Sequence, residues 1–317
     1  MAEHRFPVPT KIYHDTGYPT ISATRPENSA KGKTVVVTGG GSGIGAETAR
    51  FFAAAGASRI LLMGRRPGPL DETKASIESQ YPGTAVTATP TDVTDKAQVE
   101  AAFSNFVSAG SHHGKIDVLI SNAAVAGPME GIADVDPTAF LAGVQSNVAG
   151  ALLVAQAFLR HAAEDAVVVN VSSSAAHLNF ADILGSYSVA KLATYRVWDI
   201  VGYAHPRLRV YHLQPGVVDT DMNRAAGGVK AMGFEDHVSL PAGFMLWLAS
   251  PEAAFLKGKF LWSNWDVDEL KTRAKEIEGS QEFNVQVVGW PFGKEWSSGA
   301  TGRAFVQLRD EGVSGAN

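Results

Sequence analysis

Thr34-Val35-Val36-Val37-Thr38-Gly39-Gly40-Gly41-Ser42-Gly43-Ile44-Gly45 is a β-branched run that ends in a glycine-rich turn, and Ala46 to Gly56 continues it with apolar residues at helical spacing. This is a strand passing through a tight turn into a helix. In such a turn, backbone amides can approach a pyrophosphate, and the helix amino terminus adds donors and a partial positive charge. The spacing is Thr-Gly-x-x-x-Gly-x-Gly rather than the commoner Gly-x-Gly-x-x-Gly. Gly39, Ser42, Gly43, Ile44 and Gly45 are therefore candidate cofactor contacts. Taken alone, a glycine cluster reads equally well as a plain turn.

Outward from this unit, short β-branched runs alternate with longer helical patterns. The runs are Arg59 to Met63, Ala85 to Pro90, Val118 to Ser121, Ala166 to Ser172, Leu208 to Gln214 and Lys259 to Ser263, and Pro137 to His161 is the longest helical pattern. Such alternation predicts an α/β fold, a doubly wound parallel sheet of seven strands with helices on both faces, Rossmann-like. Residues 1–32 carry four prolines and no sustained period, which reads as an irregular arm over the surface or a partner subunit. Residues 33–265 are expected to form the dinucleotide-binding catalytic domain. Within 266–317, Asp266 to Glu278 reads as a charged amphipathic helix and the rest as a tail on the same domain.

The chain has 317 residues, 45% hydrophobic and 19% charged, with a net charge of −5 and no basic block. Nucleic acid and anionic membrane surfaces are not expected partners. Without cysteine, disulfides, thiolate nucleophiles and cysteine-ligated metals are excluded, and no metal site is expected. The start has no apolar signal region, and the apolar stretch from Val148 to Leu159 is interrupted by glycine and Gln156, so a cytoplasmic enzyme is expected.

Three later loops follow strands at the carboxyl edge, where open α/β sheets bind ligands. The second strand ends at Gly64-Arg65-Arg66, where a carboxylate would grip a ribose 2′-hydroxyl. A 2′-phosphate would instead find two guanidiniums, so Arg65 and Arg66 favour NADP(H) over NAD(H); a solvated basic turn is the alternative. Asp92 and Val93 follow the third strand, facing the adenine, and Asn122 and Ala123 follow the fourth. Each of these also reads as an ordinary helix cap.

The fifth strand ends in Asn170-Val171-Ser172-Ser173-Ser174, and Tyr187-Ser188-Val189-Ala190-Lys191 follows on a helix. Residues four apart share a helix face, so the Lys191 ammonium is expected to draw the Tyr187 phenol below its ordinary pKa. Reducing a carbonyl needs a hydride to carbon and a proton to the developing alkoxide, and Tyr187 would supply the proton. A serine hydroxyl would hold the carbonyl oxygen, and Lys191 would contact the nicotinamide ribose. Tyr-x-x-x-Lys alone is more often packing plus a solvated amine.

Together these motifs resemble the short-chain dehydrogenase/reductase family, in its compact form, over roughly residues 30–265. The resemblance implies a fourth catalytic residue, Asn147 in Ser146-Asn147-Val148, holding a water that links Lys191 to solvent. It also implies that Pro215, Gly216, Val218 and Thr220 form the nicotinamide loop, with Val218 and Thr220 meeting the carboxamide. Homodimers or homotetramers are implied, through the helices carrying Asn147 and Tyr187; Val148, Leu152, Leu159, Leu192 and Trp198 suit such a face or intramolecular packing alike. The family's Val-Ser-Ser pattern points to Ser173 as the catalytic serine, whereas the usual interval of thirteen to the tyrosine points to Ser174. Ser173 is preferred, with one extra residue in the loop Ala175 to Ser186.

The expected substrate is a small, mostly apolar ketone or aldehyde, or the matching alcohol, bordered by Ala175 to Leu184 and Met222 to Phe234. His177, Asn179 and Asp182 are polar handles or loop solubilisers, and Trp262 and Trp265 read as packing. The leader and Trp290-Pro291-Phe292 are similar to those of fungal relatives that tailor secondary metabolites. Reduction of an imine or activated alkene, dehydration, and a non-catalytic cofactor-binding role of the same fold are the alternatives.

Overall fold

The computed structural model describes residues 8–110, 115–179, 181–229 and 233–287. His112 and His113, Trp290-Pro291-Phe292 and most of the tail lie outside the described residues.

Val35, Val36 and Val37 have no exposed surface, and neither do Ile60, Leu61, Leu62 and Met63. A parallel strand must be covered on both faces, so it reads as an unbroken apolar run. The strands are β1 (Thr34–Thr38), β2 (Arg59–Gly64), β3 (Ala85–Pro90), β4 (Ile116–Ser121), β5 (Ala162–Val171), β6 (Arg209–Gln214) and β7 (Phe260–Trp262). They form one sheet in the order β3-β2-β1-β4-β5-β6-β7, every pair parallel. The seven-stranded α/β sheet expected from the sequence is thus the observed fold. β5 starts earlier than its apolar run because Ala162 pairs with Ile116 before the register shifts toward Val118.

The main helices are α1 (Gly43–Ala54), α2 (Pro67–Gln80), α3 (Lys96–Ser108), α4 (Pro137–His161) and α5 (Gly185–Ala204). Asp95 and Asp136 cap α3 and α4 by accepting first-turn amides. On one face of the sheet, Phe103, Phe106, Phe158 and Trp198 from α3, α4 and α5 pack with Val36, Leu61, Leu119 and Val168. The other face is covered by α1 and the apolar helix Ser239–Ala249. α4 is long and apolar enough to cross a membrane, but it packs along α3 and α5.

Of the residues that suited a subunit face or internal packing alike, Trp198 is fully buried in the core, whereas Leu152 and Leu192 are 46% and 45% exposed. One sequence expectation differs from the structure. The charged helix expected over Asp266 to Glu278 is two short helices, Val267–Thr272 and Ala274–Glu278. Arg273 between them leaves helical geometry and pairs with Glu276 and Glu282.

Described residues up to Phe283 belong to one compact unit, and 284–287 to a second. The amino-terminal segment crosses the first unit without a long element. Two 3₁₀ turns, Pro19–Ile21 and Pro26–Asn28, bury Ile21 and Asn28, and Tyr13 makes an antiparallel bridge with Trp265.

Candidate active site

The strand order reverses between β1 and β4, and the crevice at such a reversal is where open sheets bind ligands. Thr38, the last residue of β1, ties the two strand ends together. Its hydroxyl oxygen accepts the amides of Asn122 (2.9 Å) and Ala123 (3.0 Å). Asn122 returns its side-chain amide to the carbonyls of Thr38 (3.0 Å) and Gly39 (3.3 Å). Asn122 therefore shapes the glycine loop with its side chain.

That loop is as tight as its glycines suggest. A Cβ at Gly45 would run into the Gly39 carbonyl oxygen and come within 2.7 Å of Asn122 Nδ2. Gly39 and Gly43 adopt φ of +69° and +53°. α1 begins at Gly43, and Ser42 precedes it in extended conformation with no side-chain cap. The first-turn amides at Ser42, Gly43 and Ile44 are thus not capped by the Ser42 side chain, a donor set suited to a dinucleotide pyrophosphate.

Arg65 and Arg66 follow β2 and are exposed. Arg66 is not free: its guanidinium pairs with Asp221 at 2.9 Å, and Arg224 pairs with both Asp219 and Asp221. After β3, the Asp92 carboxylate accepts the amide (2.9 Å) and hydroxyl (2.7 Å) of Thr94. These bonds, helped by Arg65, hold it below the usual carboxylate range. Val93 packs inward, and a Cβ on Gly150 of α4 would meet it at 2.9 Å.

Ser173, Tyr187 and Lys191 are brought together. The Ser173 side chain lies close enough to the Tyr187 phenol to act on its ionisation, and its oxygen accepts the Ala175 amide at 3.2 Å. Ser174 is buried, and its amide donates to Gln214 Oε1 at 2.8 Å. Lys191 is 5% exposed; its ammonium donates to the Val171 carbonyl at 2.8 Å and lies 5.5 Å from the Tyr187 ring centroid. It lines a small cavity with Thr38, Ser121, Asn147, Asn170 and Thr194.

Burial pushes the Tyr187 phenol up to about 12, against the opposing influence of the Ser173 side chain. This corrects the expectation that the ammonium lowers it. Lys191 sits by the ring face with its charge held by Val171, and burial in turn pushes the ammonium down to about 8. Two groups that both lose water each move toward the neutral form.

Asn147 is buried on α4, with Oδ1 accepting the Val125 amide (3.1 Å) and Nδ2 donating to the carbonyls of Val125 (3.0 Å) and Gly143 (2.9 Å). Both amide protons are used, which leaves acceptor capacity for a water. After β6, Gly216 has φ +88° and Val218 is buried. Thr220 caps the short helix Asp221–Ala225 by accepting the Asn223 amide at 3.1 Å.

Sequence reading missed Gln214, which fixes Ser174, and Asp236, whose side chain accepts the Val217 amide at 2.7 Å. It gave Thr38 no role of its own, although that threonine opens the glycine motif. Asp236 carries no local signal, because its partners are far away in the chain.

A glycine-loop crevice at a sheet reversal with a serine, tyrosine and lysine at its rim defines a nicotinamide-dependent oxidoreductase architecture. Residues 33–228 match the family model for short chain dehydrogenases. The chain belongs to the short-chain dehydrogenase/reductase family and is an NAD(P)-dependent oxidoreductase acting on hydroxyl or carbonyl groups. It is 33% identical over 278 residues to the short chain dehydrogenase/reductase AacuD of Aspergillus aculeatus, covering 87% of this chain and 94% of that one. It is 31% identical over 286 residues to the short chain dehydrogenase citE of Monascus ruber, covering 88% and 96%. Among solved structures, a short chain dehydrogenase from Burkholderia cenocepacia in complex with NADP matches with TM-score 0.65 and 26% identity, covering 74% of this chain and 96% of that one.

Proposed function

We propose that this enzyme reduces a carbonyl to an alcohol with NADPH, Tyr187 giving the proton to the developing alkoxide. The observation that carries this reading is the convergence of the Ser173 side chain and the Tyr187 phenol beside a buried Lys191, whose ammonium lies 5.5 Å from the phenol ring centroid. A phenol held well above neutral is protonated at neutral pH, the form a proton donor needs. Ser173 beside that hydroxyl is placed to steady an oxygen shared between the two, which supports Ser173 as the catalytic serine. Lys191 and Asn147 line one polar cavity, which supports a water there returning a proton to Tyr187 through Lys191. When bound, the dinucleotide supplies the hydride.

The crowding around Gly45 and the open amides of Ser42, Gly43 and Ile44 fit a dinucleotide, with Val218 and Thr220 at its nicotinamide end. Two arginines and no carboxylate at the end of β2 favour the phosphorylated cofactor, as does the NADP complex of the Burkholderia relative. Leu152 and Leu192, exposed on α4 and α5, support pairing with a second subunit in a homodimer or homotetramer. We place the enzyme in the cytoplasm, in a secondary-metabolite pathway, from its composition and fungal relatives. The test is NADPH oxidation, followed at 340 nm with a panel of aromatic and aliphatic ketones. Turnover by the wild type and its loss in Tyr187→Phe are expected; an equally active Tyr187→Phe enzyme would refute the reading.

A further inference from the structure

The Pro215 to Thr220 loop has a support that neither its own sequence nor the catalytic residues provide. Asp236 is 2% exposed. Its Oδ2 accepts the Val217 amide at 2.7 Å, while its own amide donates to the Val217 carbonyl at 2.8 Å. Gly216 is glycine for two reasons: its φ is +88°, and a Cβ there would come within 2.6 Å of the same Oδ2. The second carboxylate oxygen accepts Asn264 Nδ2 at 2.9 Å.

Asn264 leads to the amino-terminal arm. Its Nδ2 also donates to the His14 carbonyl at 2.8 Å, and the His14 amide returns a bond of 2.8 Å to the Asn264 carbonyl. On the other side of Asp236, the His237 amide donates to the Asp15 carbonyl (2.7 Å), and the Gly17 amide to Ser239 Oγ (3.1 Å). The arm therefore brackets Asp236 from both directions. His14 is held in turn by Asp266 at 2.8 Å and stacks on Tyr18 with ring centroids 3.6 Å apart.

A buried carboxylate is a costly way to hold a loop. Burial and the nearby Asp15 charge push Asp236 up to about 6, against the two hydrogen bonds that favour its ionised form. It remains ionised at neutral pH, where charged acceptors make shorter and stronger bonds to backbone amides than neutral ones.

We propose that Asp236 is a positioning residue for cofactor binding, fixing the Pro215 to Thr220 loop through Val217 while the amino-terminal arm fixes Asp236 through Asn264. This rests on the reading that the loop meets the nicotinamide end. The arm is then part of the binding site's scaffold.

The test uses Asp236→Asn in the full chain. Its oxygen can still accept from Val217, but its new amide faces the amide of Asn264. Asp236→Ser, which removes the conflict and the long acceptor together, is the second variant should Asp236→Asn fold poorly. Thr84→Ala is the stability control: Thr84 is 4% exposed and its hydroxyl donates to the Ala57 carbonyl at 2.6 Å, outside both the arm and the loop. Dissociation constants for NADPH are measured by its fluorescence, and unfolding temperatures in parallel.

Roughly tenfold weaker binding is expected in the folded Asp236 variants, about what one lost bond to a charged group gives. Thr84→Ala is expected to melt earlier yet bind within twofold of wild type. Binding within twofold of wild type in a folded Asp236 variant, or an equal loss in Thr84→Ala, overturns the inference and leaves the cofactor reading intact. A wild-type chain that binds neither NADPH nor NADH overturns both.

Discussion

Replacing Lys191 by methionine is expected to stabilise the protein at neutral pH while abolishing turnover. The ammonium is 5% exposed and is pushed down to about 8 by burial, more than two units below the ordinary lysine value, which corresponds to about 3 kcal/mol against folding wherever the amine is charged in both states. Methionine matches the lysine stem and removes that cost, but it forfeits the bond to the Val171 carbonyl, about 1 kcal/mol. The variant should therefore be more stable at pH 7 by about 2 kcal/mol, a few degrees in unfolding temperature.

The sign reverses with alkali. Because the folded pKa is depressed, the wild type gains stability as pH rises from about 8 to the unfolded lysine value, above which the amine is neutral in both states and only its hydrogen bond counts. Near pH 11 the wild type should be the more stable chain by about 1 kcal/mol. Thermal or urea unfolding of both chains from pH 7 to 11 measures the difference, in which every other titrating group cancels. A variant less stable than wild type at pH 7, or a gap that does not change with pH, refutes the reasoning.

Ser173→Ala should lower kcat at least a hundredfold, whereas Ser174→Ala should stay within about tenfold, because Ser174 is held by its backbone amide; steady-state kinetics decide between them. Gly45→Ala would force a methyl into Gly39 and Asn122, and loss of NADPH binding by fluorescence titration is expected, with a lower unfolding temperature. Arg65→Ala should weaken NADPH roughly tenfold and NADH hardly at all, and equal losses for both cofactors in the same titration would count against the 2′-phosphate reading. Leu152→Glu with Leu192→Glu should shift the chain to monomer in light scattering, if the exposed α4 and α5 face is where subunits meet.

The sheet was legible because parallel strands are covered on both sides: Val35 to Val37 and Ile60 to Met63 are apolar without a break, and the helices between them keep helical spacing. Tyr187, Lys191 and the glycine loop were legible for a related reason, since each motif lies within one turn of chain. Less accessible was anything set by burial or by distant partners. The upward shift of Tyr187 reverses the sequence expectation because desolvation depends on what surrounds the phenol, not on the lysine four residues on. Whether Trp198 lies on a subunit face or in the core was open in the sequence, and its full burial decides for the core. The break at Arg273 comes from a residue with ordinary helix propensity that instead pairs with Glu276 and Glu282. Asp236 was invisible because Val217 and Asn264 adjoin it only in the folded chain.

The contact between Arg66 and Asp221 bears on how the enzyme would tell its two dinucleotides apart. Both side chains are more than half exposed, 63% and 57%, and such pairs are worth at most about 1 kcal/mol. Exchanging that carboxylate for a ligand phosphate is then close to an even trade, releasing Asp221 to Arg224 alone. Most of the discrimination would fall to the neighbouring Arg65, and Asp221→Asn, by leaving Arg66 unclaimed, would sharpen it.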